Sequence, residues 1–149
     1  MKKIAFLDID GVLNIAAGPN ATYKTTLDHF DSTLIKNMNS LFSKFEDIDI
    51  ILSSDWRKDL PDTKNLLEEA NFLHVHKIID ITPIDKSLSF RGEEIAYWLS
   101  KNNFEGKFLC IDDNIEPIEM FIDPKYCLSV DSEIGFDLEK LNAAISYFE

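Results

Sequence analysis

Lys3-Ile4-Ala5-Phe6-Leu7-Asp8-Ile9-Asp10-Gly11-Val12-Leu13-Asn14 is the stretch whose reading decides the fold. A mostly apolar run leads into two carboxylates spaced i, i+2, and a glycine follows. A short apolar run closed by a turn signal marks a buried strand of a parallel sheet, here expected over Lys3 to Ile9. In such sheets ligands bind beyond the carboxyl ends of the strands, where Asp8 and Asp10 would emerge. At about 4 Å two like charges repel by roughly 4 kcal/mol at an effective dielectric near 20, so a site built on both acids calls for a positive partner. The plain alternative is a solvated turn carrying two surface aspartates.

Working outward, apolar residues at helical spacing (Leu34, Met38, Leu41, Phe42, Phe45) predict a helix from about Asp31 to Phe45, with Asp31 or Ser32 as its cap. Gly11 to Asp28 before it reads as a loop or small hairpin, punctuated by Gly18-Pro19-Asn20. Ile48 to Leu52 is a second buried strand and runs into Ser53-Ser54-Asp55. A helix starts near Pro61, a proline tolerated in the first turn, and Lys77 to Ile81 forms a short third strand. The next helix opens near Arg91 with Ile95, Trp98 and Leu99 on one face. Lys107 to Ile111 is a fourth strand that ends in Asp112-Asp113-Asn114. A helical turn over Glu116 to Phe121 and a fifth strand over Tyr126 to Val130 come next. The last helix spans about Asp137 to Phe148, with Leu138, Leu141, Ile145 and Phe148 toward the sheet.

Strands alternating with helices imply an α/β, doubly wound (Rossmann-like) sheet of five parallel strands with helices on both faces. The 149 residues make one domain, 1–149, large enough for a real core. No internal repeat or low-complexity segment interrupts it, and none of the five glycines sits in a phosphate loop or dinucleotide fingerprint.

Composition narrows the partners. A net charge of -12 opposes charge-driven binding to a long nucleic acid. It bears less on a nucleotide or a strand end, where a divalent cation acts at short range. Cys110 and Cys127 fall in strand segments and read as buried free thiols. The basic start Met1-Lys2-Lys3 does not continue as a signal peptide, because Asp8 and Asp10 interrupt the apolar run. With no membrane-length segment either, the sequence suggests a cytoplasmic protein.

Four strand or helix ends carry the candidate chemistry: Asp8 and Asp10, Ser53, Arg91, and Asp112 with Asp113. In a doubly wound sheet those ends share one edge. Clustered carboxylates there suit Mg²⁺, which favours oxygen ligands and phosphate. A hydroxyl and a guanidinium opposite them suit the remaining oxygens of a phosphoryl group.

Phe6 to Asn14 resembles the first motif of the haloacid dehalogenase (HAD) superfamily, most of whose members are phosphatases. Ile51-Leu52-Ser53 resembles its second motif, and Leu109-Cys110-Ile111-Asp112-Asp113 its fourth. The third, usually a lysine near the start of the helix before strand four, is where this sequence departs. Lys86 precedes that helix and Arg91 opens it. Ser53-Ser54-Asp55-Trp56-Arg57 and Arg91-Gly92-Glu93-Glu94-Ile95-Ala96-Tyr97-Trp98-Leu99 resemble a subgroup that includes HAD domains of multifunctional RNA-repair proteins. In that subgroup arginine replaces the lysine, which favours Arg91 over Lys86.

The resemblance implies a Mg²⁺-dependent phosphohydrolase. Asp8 would be the nucleophile that forms an aspartyl-phosphate, and Asp10 the general acid and base. Asp8, Asp112, Asp113 and the Asp10 backbone carbonyl would bind the metal, with Ser53 and Arg91 (or Lys86) on the substrate phosphate. Arg57 is a further candidate phosphate contact. His29 lies in a segment that borders the active site in this superfamily, so a substrate contact is open to it. Trp56 and Trp98 read as packing residues.

Of the two insertion points usual in that superfamily, Gly11 to about Phe30 is too short for a helical cap, and Asp55 to Ser89 is accounted for by an ordinary crossover and one strand, so the chain reads as capless. An open site admits a large substrate or is covered by a second subunit of a homo-oligomer. The substrate expected is phosphorylated: a small molecule, a nucleotide or a nucleic-acid end. A phosphorylatable signalling domain and a catalytically silent phosphate-binding module on the same scaffold are the competing readings. Retention of both Asp8 and Asp10 favours turnover.

Overall fold

The computed structural model describes residues 2–149. Five strands, β1 (Lys3–Leu7), β2 (Ile48–Leu52), β3 (Ile78–Ile81), β4 (Lys107–Asp112) and β5 (Cys127–Ser129), form one sheet in the order β3-β2-β1-β4-β5. Every pairing is parallel. The chain winds outward from β1 to β3, then crosses back to lay β4 on the other side of β1. The winding therefore reverses between β1 and β4, and at such a switch point the loops beyond the strands diverge and leave a crevice.

Alternation along the buried strands feeds two cores. Ala5, Leu7, Ile50, Leu52, Leu109 and Ile111 face one side, together with Met38, Leu41 and Phe42 of α2 (Ser32–Lys44), Leu67 of α3 (Leu60–Glu69) and Phe148 of α6 (Leu138–Phe148). Ile4, Phe6, Ile51 and Cys110 face the other, against Ile95 and Trp98 of α4 (Arg91–Lys101) and Ile118 of α5 (Glu116–Glu119). With both faces covered, the sheet can be apolar throughout, as a parallel sheet requires.

The structure amends the sequence reading at several places. A one-turn helix, α1 (Thr22–Thr25), lies within the segment read as loop or hairpin. Leu138 is 63% exposed; Ala144 rather than Leu138 packs with Leu141 and Phe148. Cys127 is only partly buried, while Cys110 is buried, and both are free thiols. Strand β1 stops at Leu7 because Val12 and Leu13 N–H both donate to the Ile9 carbonyl, which turns the chain at Asp10.

Pairing continues for one residue beyond the strands. Asp8 N–H donates to the Ile111 carbonyl, Ser53 N–H to Leu7 and Thr82 N–H to Leu52, each at 3.0 Å. Those bonds hold the residues that follow β1, β2 and β3 along a single rim.

Candidate active site

At the switch point Asp8 and Asp112 stand on neighbouring strands, and Asp113 follows directly. One carboxylate oxygen from each of the three lies within 4.8 Å of the others. Asp8 and Asp112 are buried, at 4% and 1% exposure. Asp113 packs against the backbone of Gly11, where a Cβ would collide with its carboxylate. Gly11 also has φ +81°, so this position excludes side chains on two counts.

A guanidinium completes the cluster. Arg91 Nη1 lies 2.7 Å from Asp112 Oδ2 and 3.3 Å from Asp8 Oδ1. Arg91 is the first residue of α4, where the helix dipole disfavours a cation. Its side chain leaves the helix terminus and ends between the two acids instead. The helix can come that close because Gly92 has no side chain: a Cβ there would sit 2.7 Å from the Pro117 and Ile118 carbonyl oxygens of α5.

Burial pushes the Asp8 carboxyl up to about 9; the neighbouring Asp112 adds to the shift and Arg91 opposes it. Asp112 is raised by burial too, against the pull of Arg91 and a hydrogen bond from the Asn114 amide. Burial disfavours the Arg91 charge, but Asp112 and Asp8 outweigh it and hold the guanidinium protonated. One guanidinium thus faces three carboxylates, and the balance is still short of positive charge. Hard oxygen donors in this number, two of them buried, fit a small divalent cation such as Mg²⁺.

Asp10 stands apart from that trio. Its side chain is exposed at the rim and held from two sides: Asn14 Nδ2 donates to Oδ1 (2.9 Å) and Trp56 Nε1 donates to Oδ2 (3.0 Å). Asn14 is itself oriented by the Gly11 N–H, which donates to its Oδ1 at 2.8 Å. Trp56, read from sequence as packing, therefore has a polar contact with a candidate catalytic group. Nothing in the sequence flags it, because the pair is 46 positions apart.

The remaining candidates divide. Ser53 is buried at the end of β2, whereas its neighbour Ser54 lines the cleft and accepts the Trp56 N–H, starting a 3₁₀ turn over Asp55–Asp59. Lys86 is exposed in the loop between β3 and α4 and is not among the residues that line the cleft.

Arg57, the further candidate phosphate contact, is not among the residues that line the cleft. It is 4% exposed, and its nitrogens donate to the carbonyls of Ser53, Ser54, Thr82 and Pro83 and to Glu94 Oε2 at 2.6 Å. The guanidinium ties together the ends of β2, β3 and α4, and those bonds use the nitrogens a phosphate would need.

The cleft over these residues has a volume of about 530 Å³ and is lined by Asp8, Asp10, Ser54, Asp55, Phe90, Arg91, Glu94 and Asp113, among others. A comparable cavity of about 560 Å³ lies at the other edge of the sheet, by Lys2, Asp80, Trp98 and Gly106. There Trp98 Nε1 donates to Asp80 Oδ2, and no acidic trio is present among the described residues.

Five parallel strands in this order, with acids from the central strand and its neighbour meeting at the switch point, define a HAD-like α/β domain. The family model described as the HAD domain in Swiss Army Knife RNA repair proteins matches residues 4–141, and the chain belongs to that family. No curated protein and no solved structure matches it significantly. Membership, together with the acidic cluster, supports a phosphohydrolase of HAD type. No helix among the described residues is long and apolar enough to cross a membrane.

Proposed function

We propose that the chain is a Mg²⁺-dependent phosphatase that cleaves phosphate monoesters through an aspartyl-phosphate on Asp8. The observation that carries this reading is the meeting of Asp8, Asp112 and Asp113 within 4.8 Å, with Arg91 bridging the first two. The occurrence of that family in RNA repair proteins supports a nucleotide or a nucleic-acid terminal phosphate as the substrate.

An Asp8 carboxylate oxygen attacks phosphorus in line as the bond to the leaving oxygen breaks. Asp10 gives that oxygen a proton, then takes one from the water that opens the acyl phosphate. Asn14 and Trp56 hold the Asp10 carboxyl in place for both transfers. Arg91, and the hydroxyl of Ser53 or its neighbour Ser54, bind the phosphoryl oxygens. Mg²⁺ held by Asp8, Asp112, Asp113 and the Asp10 carbonyl would supply charge that offsets the acids and stabilises those oxygens.

A screen of nucleotides, oligonucleotides with terminal phosphates, sugar phosphates and phosphopeptides, with and without Mg²⁺, tests the reading. Release of inorganic phosphate that needs Mg²⁺ and vanishes in Asp8→Asn is expected. Full activity in a clean Asp8→Asn preparation would remove the covalent mechanism.

A further inference from the structure

Beside the acidic cleft lies a second cavity of about 370 Å³ that shares Asp10 with it but not Asp8. Rings line it: Trp56, His29 and Tyr23, together with Asn14 and Asp28. His29 and Trp56 meet edge to face, with ring centres 5.7 Å apart, and the buried Phe30 backs Trp56 at 5.3 Å. The Tyr23 ring is 71% exposed, so one face is free for a ligand.

This wall is tied to the chemistry. Asn14 Nδ2 donates both to Asp10 Oδ1 and to the His29 carbonyl (3.1 Å), so one amide links the general acid to the backbone that carries the His29 ring. The segment bearing Tyr23 is pinned back by paired bonds between Ile15 and Thr22: Ile15 N–H to Thr22 Oγ1 at 2.8 Å, and Thr22 N–H to the Ile15 carbonyl at 2.9 Å.

We infer that this cavity is the leaving-group subsite and that it takes the ring system of one nucleoside. The assignment rests on the phosphatase reading, because a general acid must face the leaving oxygen. With Asp8 on the phosphorus in the first cleft, the group departing past Asp10 enters the second. Its size lies in the range of small-molecule sites, and ring-lined walls favour a flat partner. No lysine or arginine lines it, whereas Asp10 and Asp28 do. A second phosphate is therefore disfavoured there, and an uncharged nucleoside portion is favoured over a phosphosugar or a diphosphate.

The test compares kcat/KM for 5′-AMP, 3′-AMP, a tetranucleotide with a terminal phosphate, and glycerol 3-phosphate, in the full chain with Mg²⁺. A mononucleotide or the terminal nucleotide of the strand presents the same rings, and these arms separate the two sources. Preference for either over glycerol 3-phosphate is expected, and that ratio should fall about tenfold in Tyr23→Ala and in His29→Ala. Both side chains are exposed, so the variants keep the core intact.

Binding is read separately, without turnover. Adenosine should quench tryptophan emission saturably, and the quench should weaken in Tyr23→Ala. Trp56→Phe assigns the signal: it should remove the quench, whereas a quench that persists comes from Trp98, which lines the separate cavity of about 560 Å³, and overturns the subsite. Hydrolysis without ring preference, or emission that adenosine leaves unchanged, overturns the subsite while the phosphatase stands. Saturable quenching without hydrolysis of any ester removes the phosphatase and with it the leaving-group role, and leaves a nucleoside-binding cavity alone.

Discussion

Arg91 Nη1 and Asp112 Oδ2 lie 2.7 Å apart, one at the first residue of α4 and the other at the last residue of β4. Asp8 shares the same nitrogen, so one guanidinium compensates two buried acids. Its removal takes away both a phosphate donor and the only side-chain cation bonded to the cluster among the described residues. Arg91→Ala is expected to lower kcat/KM by about 10²–10³, the scale seen when one transition-state donor is lost. Lys86→Ala should stay within about twofold of the parent, since Lys86 stands outside the cleft. Steady-state kinetics on one monoester decides between them, and the opposite order would move the phosphate-binding role to Lys86.

Asp8 gives a pH prediction whose sign follows from its raised carboxyl. Unfolded, this group releases its proton near pH 4; folded, burial and Asp112 delay release to about pH 9. Between those values the metal-free native state holds more protons than the unfolded state, so Asp8 makes stability fall as pH rises through that window. Asp8→Asn should therefore raise the melting temperature of metal-free protein at pH 8, by roughly 2–4 °C for each kcal/mol relieved. At pH 5 the gain should be smaller. Mg²⁺ should stabilise the parent more at pH 8 than at pH 5, because it competes with the proton for the same oxygens. Calorimetric scans with and without Mg²⁺ at both pH values check the two signs together.

Arg57 distinguishes a structural clamp from a substrate contact. Its partners are backbone carbonyls at the ends of β2 and β3 and the carboxylates of Glu94 and Asp55. Arg57→Ala takes the side-chain donor from these carbonyls, of which Ser54 keeps the backbone N–H of residue 57, and strands the Glu94 carboxylate. A broken buried ion pair costs about 3–5 kcal/mol. The expected result is a large drop in the urea midpoint. Arg57→Ala/Glu94→Gln should recover part of it, since the second change removes the stranded charge. A stable Arg57→Ala protein with a raised KM would restore the substrate role.

How far the sequence reached depends on the kind of contact. Short apolar runs at Ile4–Leu7, Ile48–Leu52 and Phe108–Ile111 made the sheet legible, because burial on both faces leaves consecutive apolar residues. Carboxylates that follow such strands are legible for the same reason, since topology brings strand ends together. Arg57 follows the second strand as a phosphate contact could, and its burial is not legible from that position. Only the turn begun by Ser54 sends its side chain inward. Trp56 was missed because its indole N–H reaches Asp10 across loops from different strands. Leu138 was placed inward because it continues the helical spacing of Leu141, Ile145 and Phe148. It is the first residue after the Asp137 cap, however, and that turn projects beyond the sheet-covering surface.

Trp56 offers the sharpest test of how Asp10 is positioned. Trp56→Phe keeps an aromatic ring against Phe30 and His29 but removes the N–H that donates to Asp10 Oδ2. With only Asn14 left, the carboxyl is free to rotate away from the leaving oxygen. The step that suffers is proton donation, and general acid catalysis contributes about 10²–10⁴-fold in full. Partial loss of alignment should lower kcat/KM, which reports only the step that forms the aspartyl-phosphate, about tenfold for an alkyl phosphate, whose alkoxide is a poor leaving group. p-Nitrophenyl phosphate should lose far less, because p-nitrophenolate departs without a proton. Equal losses on the two substrates would mean that Trp56 supports the fold of the cleft and not the acid. Asn14→Ala should show the same split between substrates and a larger loss, since it also frees the His29 carbonyl and the Gly11 N–H.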